Sequence, residues 1–164
     1  MLVKDIMNTH VVSLHYATPF LDAAKMFLAY HLSGAPVVSD TEELVGIVSE
    51  KDLMRAMYPT PNEVYNHPYL FFYEEELNEA TTSATHKCVG DIMSKRLITA
   101  TPDTHIFKVG GYMVATGVHR VPVIDENRKL IGMVSRGDVY RAMLQENFHL
   151  PSFANEFAGN LQPV

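Results

Sequence analysis

Residues 44–52 read Leu-Val-Gly-Ile-Val-Ser-Glu-Lys-Asp, and residues 130–138 read Leu-Ile-Gly-Met-Val-Ser-Arg-Gly-Asp. The two stretches lie 86 residues apart, and the same offset aligns residues 4–57 with residues 90–143 without a gap. In that alignment, 15 of the 54 residue pairs are identical. A match of this length in a single register indicates that the chain contains a duplicated unit.

Each repeat begins with a predicted strand and helix. The β-branched runs at residues 11–13 and 97–99 predict the first strand of each repeat. Thr18 and Pro19 then predict the start of a helix, with Thr18 as its N-cap and Pro19 at its first position. Apolar residues at helical spacing follow, which is typical of a helix with one buried face.

Each repeat ends with a predicted hairpin and helix. Two apolar runs, at residues 35–39 and 44–48, are separated by a short polar turn and therefore predict a hairpin. A last helix is predicted to begin at Ser49. The fold class is thus α/β (α+β): two tandem β-α-β-β-α repeats, which we expect to pack with pseudo-twofold symmetry because one repeat is too short to enclose much core.

The domain organisation follows from the repeat boundaries. We assign residues 1–58 to repeat 1, residues 59–89 to a link, residues 90–147 to repeat 2 and residues 148–164 to a C-terminal tail. The link contains the apolar run 69–73 and then three consecutive glutamates. We interpret the run as an apolar clamp on the two repeats, with docking of a partner protein as the alternative.

Composition and charge exclude several classes of protein. The chain has 164 residues, 47% of them hydrophobic and 20% charged, which is typical of a globular protein. A net charge of −6 disfavours binding to nucleic acid or to an anionic membrane surface. Cys88 is the only cysteine, so no internal disulfide and no multi-cysteine zinc site are expected. We expect a cytoplasmic protein because neither a signal peptide nor a membrane span is visible.

The duplicated motifs resemble those of the CBS domain family, named for cystathionine beta-synthase. They are Asp5-Ile6-Met7 and Asp91-Ile92-Met93, the Pro-Val strands that begin each hairpin, and the two Gly-x-x-Ser-x-x-Asp motifs. The resemblance covers about two thirds of the chain. It implies paired repeats, frequent homodimers, and AMP, ADP, ATP or a related adenosyl ligand bound in two clefts. No part of the chain resembles a catalytic domain, so we expect a protein that is not an enzyme and requires no cofactor.

The Ser-x-x-Asp motifs have two interpretations. Ser49 with Asp52, and Ser135 with Asp138, stand where a predicted strand passes into a helix. Exposed backbone N–H groups and the helix dipole favour a phosphate at such a place, and the aspartate can accept the two hydroxyls of a ribose. The same spacing is also a capping-box signature, in which the serine caps the helix and the aspartate three residues later accepts a hydrogen bond from the serine N–H. The sequence leaves both interpretations open.

Cationic side chains near the second motif suggest contacts to phosphate. His119 and Arg120 precede the Pro122 strand, and Arg136 follows Ser135. Similar residues contact phosphate in nucleotide-binding members of the family, although an exposed strand entrance explains them equally well. Repeat 1 departs from this pattern, since Ser33 and Gly34 occupy the equivalent positions.

The resemblance further implies two sites that mix residues of both repeats. Lys51, beside Asp52, is a candidate cation of repeat 1. The first site comprises Met7, Val12 and Leu32 as adenine walls with His119, Ser135 and Asp138, and the second comprises Met93, Ile98, Val118 and Arg120 with Ser49 and Asp52. The apolar members are explained equally well as core.

Two functional hypotheses remain. The first is a regulatory module that senses an adenine nucleotide and signals to an effector protein that the sequence does not identify. The alternative is a ligand-free, dimerising interaction scaffold of the same fold. The sequence contains neither ligand-spaced histidines for a metal nor a nucleophile motif for catalysis.

Overall fold

The computed structural model describes residues 1–58, 61–66, 78 and 81–148. The first repeat contains a 3-10 turn Val3–Asp5, strand β1 Leu14–His15, helix α1 Phe20–Ala29, strands β2 Gly34–Val38 and β3 Leu44–Ser49, and helix α2 Glu50–Ala56. The following elements are α3 Pro61–Asn66, α4 Val89–Ile92, α5 Ile106–Thr116, β4 Arg120–Ile124, β5 Leu130–Ser135 and α6 Arg136–Phe148. The apolar and acidic runs of the link and the tail from residue 149 onward lie outside the described residues.

The predicted hairpins are present in both repeats. Strands β2 and β3 are antiparallel, with Pro36 opposite Ile47, and β1 lies parallel to β2, with Leu14 opposite Val37. Strands β4 and β5 form a second sheet of two strands. Alternate residues of β3 are buried, as expected when one face of a sheet covers a core. The mixed α/β fold predicted from the repeats is confirmed.

The predicted first strands, however, begin later in the chain. Residues 11–13 and 97–99 have no strand conformation. In repeat 1 the strand starts at Leu14, and in repeat 2 it is reduced to a parallel bridge between Ala100 and Val123. The Ala100 N–H donates to Pro122 O at 2.9 Å. Backbone pairing therefore begins only where the chain lies beside β2 in repeat 1 and beside β4 in repeat 2. The β-branched runs end before that point.

The predicted N-cap of α1 is also wrong by one residue. Pro19 is the N-cap and the helix begins at Phe20, with no hydrogen bond from a capping side chain. The backbone of Thr18 and Pro19 is instead paired with residues 87–89: Val89 N donates to Thr18 O at 2.9 Å and Phe20 N donates to Lys87 O at 2.9 Å. These bonds hold Thr18 and Pro19 extended, so the helix can start only after them.

The structure divides into two compact units, and each unit combines segments of both repeats. Unit 1 contains Met1–Thr9, Thr99–Asp125 and the described residues from Ile131, whereas unit 2 contains the described residues of His10–Ile98 together with Glu126–Leu130. Backbone bridges inside the units recur at the offset of 86: Asn8 with Met133 and Ser94 with Ile47, Leu2 with His105 and Cys88 with Pro19. The start of each repeat thus pairs with the strands and helices of the other repeat.

Each unit has its own apolar core. In unit 2 the largest members are Leu14, Phe20, Phe27 and Leu53, each at most 7% exposed. In unit 1, α5 and the hairpin supply Ile106, Met113, Val121, Val123 and Val134, each at most 2% exposed. Within the described part of the chain, every helix is too short or too polar to cross a membrane.

Candidate functional site

The Ser-x-x-Asp motif of repeat 1 forms a helix cap. Strand β3 ends at Ser49, and α2 begins at the next residue. Asp52 Oδ2 accepts a hydrogen bond from Ser49 N at 2.8 Å and another from Ser49 Oγ at 2.6 Å. These two bonds satisfy donors at the start of the helix, where no helical carbonyl is available to accept them.

The motif of repeat 2 forms the same cap. Asp138 Oδ2 accepts from Ser135 N at 2.9 Å and from Ser135 Oγ at 2.5 Å, and Asp138 N donates to Ser135 Oγ at 3.2 Å. The capping interpretation is therefore confirmed for both repeats. The cap uses only Oδ2 of each aspartate, so it leaves open whether Oδ1 accepts the hydroxyls of a ribose. That interpretation stays a prediction.

The second carboxylate oxygen distinguishes the two repeats. Asp138 Oδ1 accepts a hydrogen bond from the Arg141 guanidinium. Asp52 Oδ1 lies 3.9 Å from Nη1 of Arg55, the residue equivalent to Arg141, which is too far for a hydrogen bond. Both carboxylates are half-buried, with side chains 15% exposed in Asp52 and 26% exposed in Asp138.

The first N–H group of each following helix is occupied by a backbone carbonyl. Arg136 N donates to His119 O at 2.8 Å, and Glu50 N donates to Ser33 O at 3.4 Å. These bonds join the start of the helix to the entrance of the neighbouring strand. At the start of each helix, therefore, one of the backbone N–H groups that a phosphate could use already donates to a carbonyl.

The predicted cations lie at the surface. His119 and Arg120 are exposed at the entrance of β4, Arg136 is exposed at the first position of α6, and Lys51 is exposed in the first turn of α2. His119 and Arg136 adjoin each other through the backbone bond just described. The structure thus brings His119 beside the start of α6, where Arg136 follows Ser135.

Two of the predicted adenine walls pack against glycines. A Cβ atom added to Gly132 would lie 2.9 Å from Met7 Sδ, and one added to Gly46 would overlap Met93 Sδ. Met93 also packs against the core of unit 2. These contacts support the alternative that Met7 and Met93 are packing residues, and a role against adenine stays a prediction.

The other apolar candidates are partly buried. Leu32 packs against the core of unit 2, and Val12, Ile98 and Val118 are of intermediate exposure. Of the first predicted site, Met7, His119, Ser135 and Asp138 belong to unit 1, whereas Val12 and Leu32 belong to unit 2. Of the second site, Met93, Ile98, Ser49 and Asp52 belong to unit 2, whereas Val118 and Arg120 belong to unit 1. The two combinations remain predictions.

Sequence reasoning missed the role of the aspartate in each Asp-Ile-Met motif. Asp5 Oδ2 accepts from Leu2 N at 2.8 Å, and Asp91 Oδ2 accepts from Cys88 N at 2.9 Å and from Cys88 Sγ at 3.2 Å. The hydrogen bonds from the Cys88 backbone and thiol lower the pKa of Asp91 from its usual value. Both aspartates therefore cap a short turn, and the signal available in the sequence was their repetition at the offset of 86.

A polar cluster in repeat 1 was also not predicted. His15 Nε2 lies 2.9 Å from Asp40 Oδ1, and the Tyr16 hydroxyl donates to Asp40 Oδ2 at 3.3 Å. Thr101, Pro102 and Glu126 occupy the equivalent positions of repeat 2. The repeat therefore gave no signal for this cluster. Among the described residues, no three side chains of His, Cys, Asp or Glu are grouped as a metal would require.

Comparison with known proteins identifies relatives of both repeats. A family model described as CBS domain matches residues 3–59 and 89–145. The uncharacterized protein MJ1426 of Methanocaldococcus jannaschii is 32% identical over 155 residues, which cover 88% of this chain and 92% of that protein. CBSX2, a chloroplastic CBS domain-containing protein of Arabidopsis thaliana, is 32% identical over 145 residues, which cover 84% of this chain and 60% of that protein.

Two solved structures of similar chains contain adenosyl ligands. A crystal structure of CBSX2 in complex with AMP aligns with a TM-score of 0.67 at 29% identity and covers 88% of this chain and 97% of that chain. The CBS domain pair of protein MJ0100, in complex with 5′-methylthioadenosine and S-adenosyl-L-methionine, aligns with a TM-score of 0.64 at 25% identity. That alignment covers 87% of this chain and 99% of that chain.

Proposed function

The chain belongs to the CBS domain family, and from that premise we propose that it is a regulatory module that binds an adenine nucleotide. AMP, ADP and ATP are the proposed ligands, and the bound state would be signalled to an effector protein. In this proposal the chain carries no catalytic activity of its own and acts in the cytoplasm as a homodimer.

One observation in the structure carries the proposal. Asp52 Oδ1 belongs to a half-buried carboxylate in the first turn of α2, and it accepts no hydrogen bond from any described residue. A half-buried carboxylate oxygen is stabilised by donors, and the 2′- and 3′-hydroxyls of a ribose are suitable ones. The AMP complex of CBSX2 supports the choice of an adenine nucleotide.

The surroundings of the second motif support binding of a charged ligand. Arg136 follows Ser135 directly, the Arg136 N–H donates to His119 O at 2.8 Å, and Arg120 is the next residue after His119; all three cationic side chains are exposed. Arginine pairs well with phosphate because its planar guanidinium offers two parallel donors. Repeat 1 has Ser33 and Gly34 in place of His119 and Arg120. We therefore propose that phosphate is recognised mainly by side chains of repeat 2.

Calorimetric and thermal titrations with AMP, ADP, ATP, S-adenosylmethionine and 5′-methylthioadenosine test the proposal. A ligand at one hundred times its dissociation constant stabilises the folded state by about 2.7 kcal/mol. We expect millimolar AMP, ADP or ATP to raise the melting temperature. If none of the three does so, nucleotide sensing is wrong, and a gain with S-adenosylmethionine or 5′-methylthioadenosine alone would transfer the function to that ligand.

The alternative is a ligand-free scaffold of the same fold that dimerises through exposed apolar side chains. Large apolar side chains are exposed at equivalent positions of the two repeats: Leu21 and Phe107, Leu28 and Val114, Met54 and Tyr140. Exposed apolar patches are typical of protein interfaces. These positions serve a dimer in either hypothesis, so the titrations above decide between them.

A further inference from the structure

We propose that Arg141 sets the affinity of the Asp138 site by competing with the ligand's ribose for Asp138 Oδ1. The inference rests on the proposed function and concerns one residue of the same site. Two equivalent pairs of residues differ in this respect: Arg141 donates a hydrogen bond to Asp138 in repeat 2, whereas Arg55 lies too far from Asp52 to do so in repeat 1.

The acceptor capacity of the two carboxylates differs. An ionised carboxylate offers about four lone-pair sites. At Asp52, Ser49 fills two of them, both on Oδ2. At Asp138, Ser135 fills two in the same way, and Arg141 fills a third on Oδ1. At Asp52, two lone-pair sites on Oδ1 therefore remain for the two ribose hydroxyls. At Asp138 only one remains, unless the Arg141 guanidinium moves away.

A glycine explains why only the second repeat forms this contact. A Cβ atom added to Gly137 would lie 3.3 Å from Arg141 Nη1 and 3.7 Å from Ser135 Oγ. The guanidinium thus lies over the first turn of α6, where Gly137 has no side chain to obstruct it. Repeat 1 has Lys51 at this position. A side chain at this position crowds the place that the guanidinium occupies in repeat 2, in agreement with the longer distance between Arg55 and Asp52.

Displacement of Arg141 requires little free energy. Its side chain is 66% exposed, so the guanidinium can exchange Asp138 for water. Ion pairs of this kind are weak because solvent screens them and the long side chain regains freedom. The competition should therefore reduce affinity by a factor of about two to five rather than abolish binding.

The test compares Arg141→Met with the matched variant Arg55→Met in the full chain. Methionine keeps an unbranched stem and a good helix propensity but removes every donor and the charge. Adenosine and AMP are titrated separately, and the backbone amides of Gly137 and Lys51 report on the two sites by NMR. We expect Arg141→Met to tighten adenosine binding at the Gly137 amide about two- to fivefold. Arg55→Met should change binding at the Lys51 amide by less than about twofold.

The two ligands separate competition from direct contact. If Arg141→Met weakens AMP binding but not adenosine binding, Arg141 contacts phosphate and the inference is overturned. Equal adenosine affinity in Arg141→Met and wild type overturns it as well, while the proposed function stands. If no variant binds adenosine or AMP, the inference is overturned, and the titrations with ADP and ATP decide the proposed function. Arg141→Lys, which keeps the charge but loses the fork, should lie between wild type and Arg141→Met.

Discussion

At the scale of single residues, helix capping and ligand binding use different atoms of the same aspartate. In Asp52 and Asp138, Oδ2 accepts both hydrogen bonds of the cap, and Oδ1 takes no part in it. The two interpretations of the Ser-x-x-Asp motif are therefore compatible. The cap also fixes the orientation of the carboxylate before a ligand arrives, which reduces the entropy lost on binding.

Asp138→Asn separates the two roles of this residue. Asparagine keeps a side-chain carbonyl oxygen that can accept the hydrogen bond from Ser135 N, as Asp138 Oδ2 does, so we expect the melting temperature without ligand to stay close to that of wild type. Loss of a charged acceptor for the ribose hydroxyls removes about 1.5–3 kcal/mol of binding free energy, which corresponds to a roughly ten- to hundredfold weaker affinity for AMP. Asp138→Ala should lose the same affinity and also about 1 kcal/mol of folding stability, because the hydrogen bonds from Ser135 are lost. Unchanged AMP binding in Asp138→Asn would show that the aspartate serves only as a cap.

At the scale of elements, the sequence predicted most where a local rule acts alone. The hairpins follow from two apolar runs around a polar turn, and the last helices begin where Ser49 and Ser135 cap them. The start of α1 was misplaced because Thr18 is paired with Val89, a contact that local propensity does not encode. The position of the Arg141 guanidinium was likewise not predictable, because it depends on the space left by Gly137.

The ends of the two equivalent helices α1 and α5 differ in one informative residue. Gly117 follows α5 with a φ of 71°, and His31, its equivalent after α1, has a φ of 50°. Positive φ places the Cβ of an L-residue close to the backbone, whereas glycine adopts it without this cost. Repeat 1 thus tolerates a strained residue where repeat 2 has glycine.

His31→Gly should therefore stabilise the protein by about 1 kcal/mol, because the cost of positive φ is removed. The reverse change, Gly117→His, should destabilise it by a similar amount. Urea unfolding followed by circular dichroism measures both, and the midpoints should move in opposite directions. A lower midpoint for His31→Gly would mean that contacts of the histidine side chain outweigh the backbone strain.

At the scale of the whole molecule, the repeats of the sequence and the compact units of the structure are different divisions of the chain. Residues 1–9 belong to the unit built on repeat 2, and residues 88–98 belong to the unit built on repeat 1. Contacts between distant residues, such as Met93 on Gly46, create this exchange. The offset of 86 revealed the duplication, but a linear alignment contains no information about which copy each segment packs against.

At the same scale, we expect the whole chain to assemble into a homodimer. Leu28 is 77% exposed and Val114 is 85% exposed, and they occupy equivalent positions on α1 and α5. Apolar exposure that recurs in both repeats suits a self-complementary interface, in which the same surface of two copies meets. Light scattering at high micromolar concentration should therefore give twice the mass of the chain.

The double variant Leu28→Glu with Val114→Glu should raise the dissociation constant at least about tenfold, because burying unpaired carboxylates costs several kcal/mol. Thr9→Glu, which adds a carboxylate at another exposed position, is the control and should remain dimeric. A wild-type monomer at high micromolar concentration would refute the dimer. A double variant that stays dimeric would place the interface elsewhere on the chain.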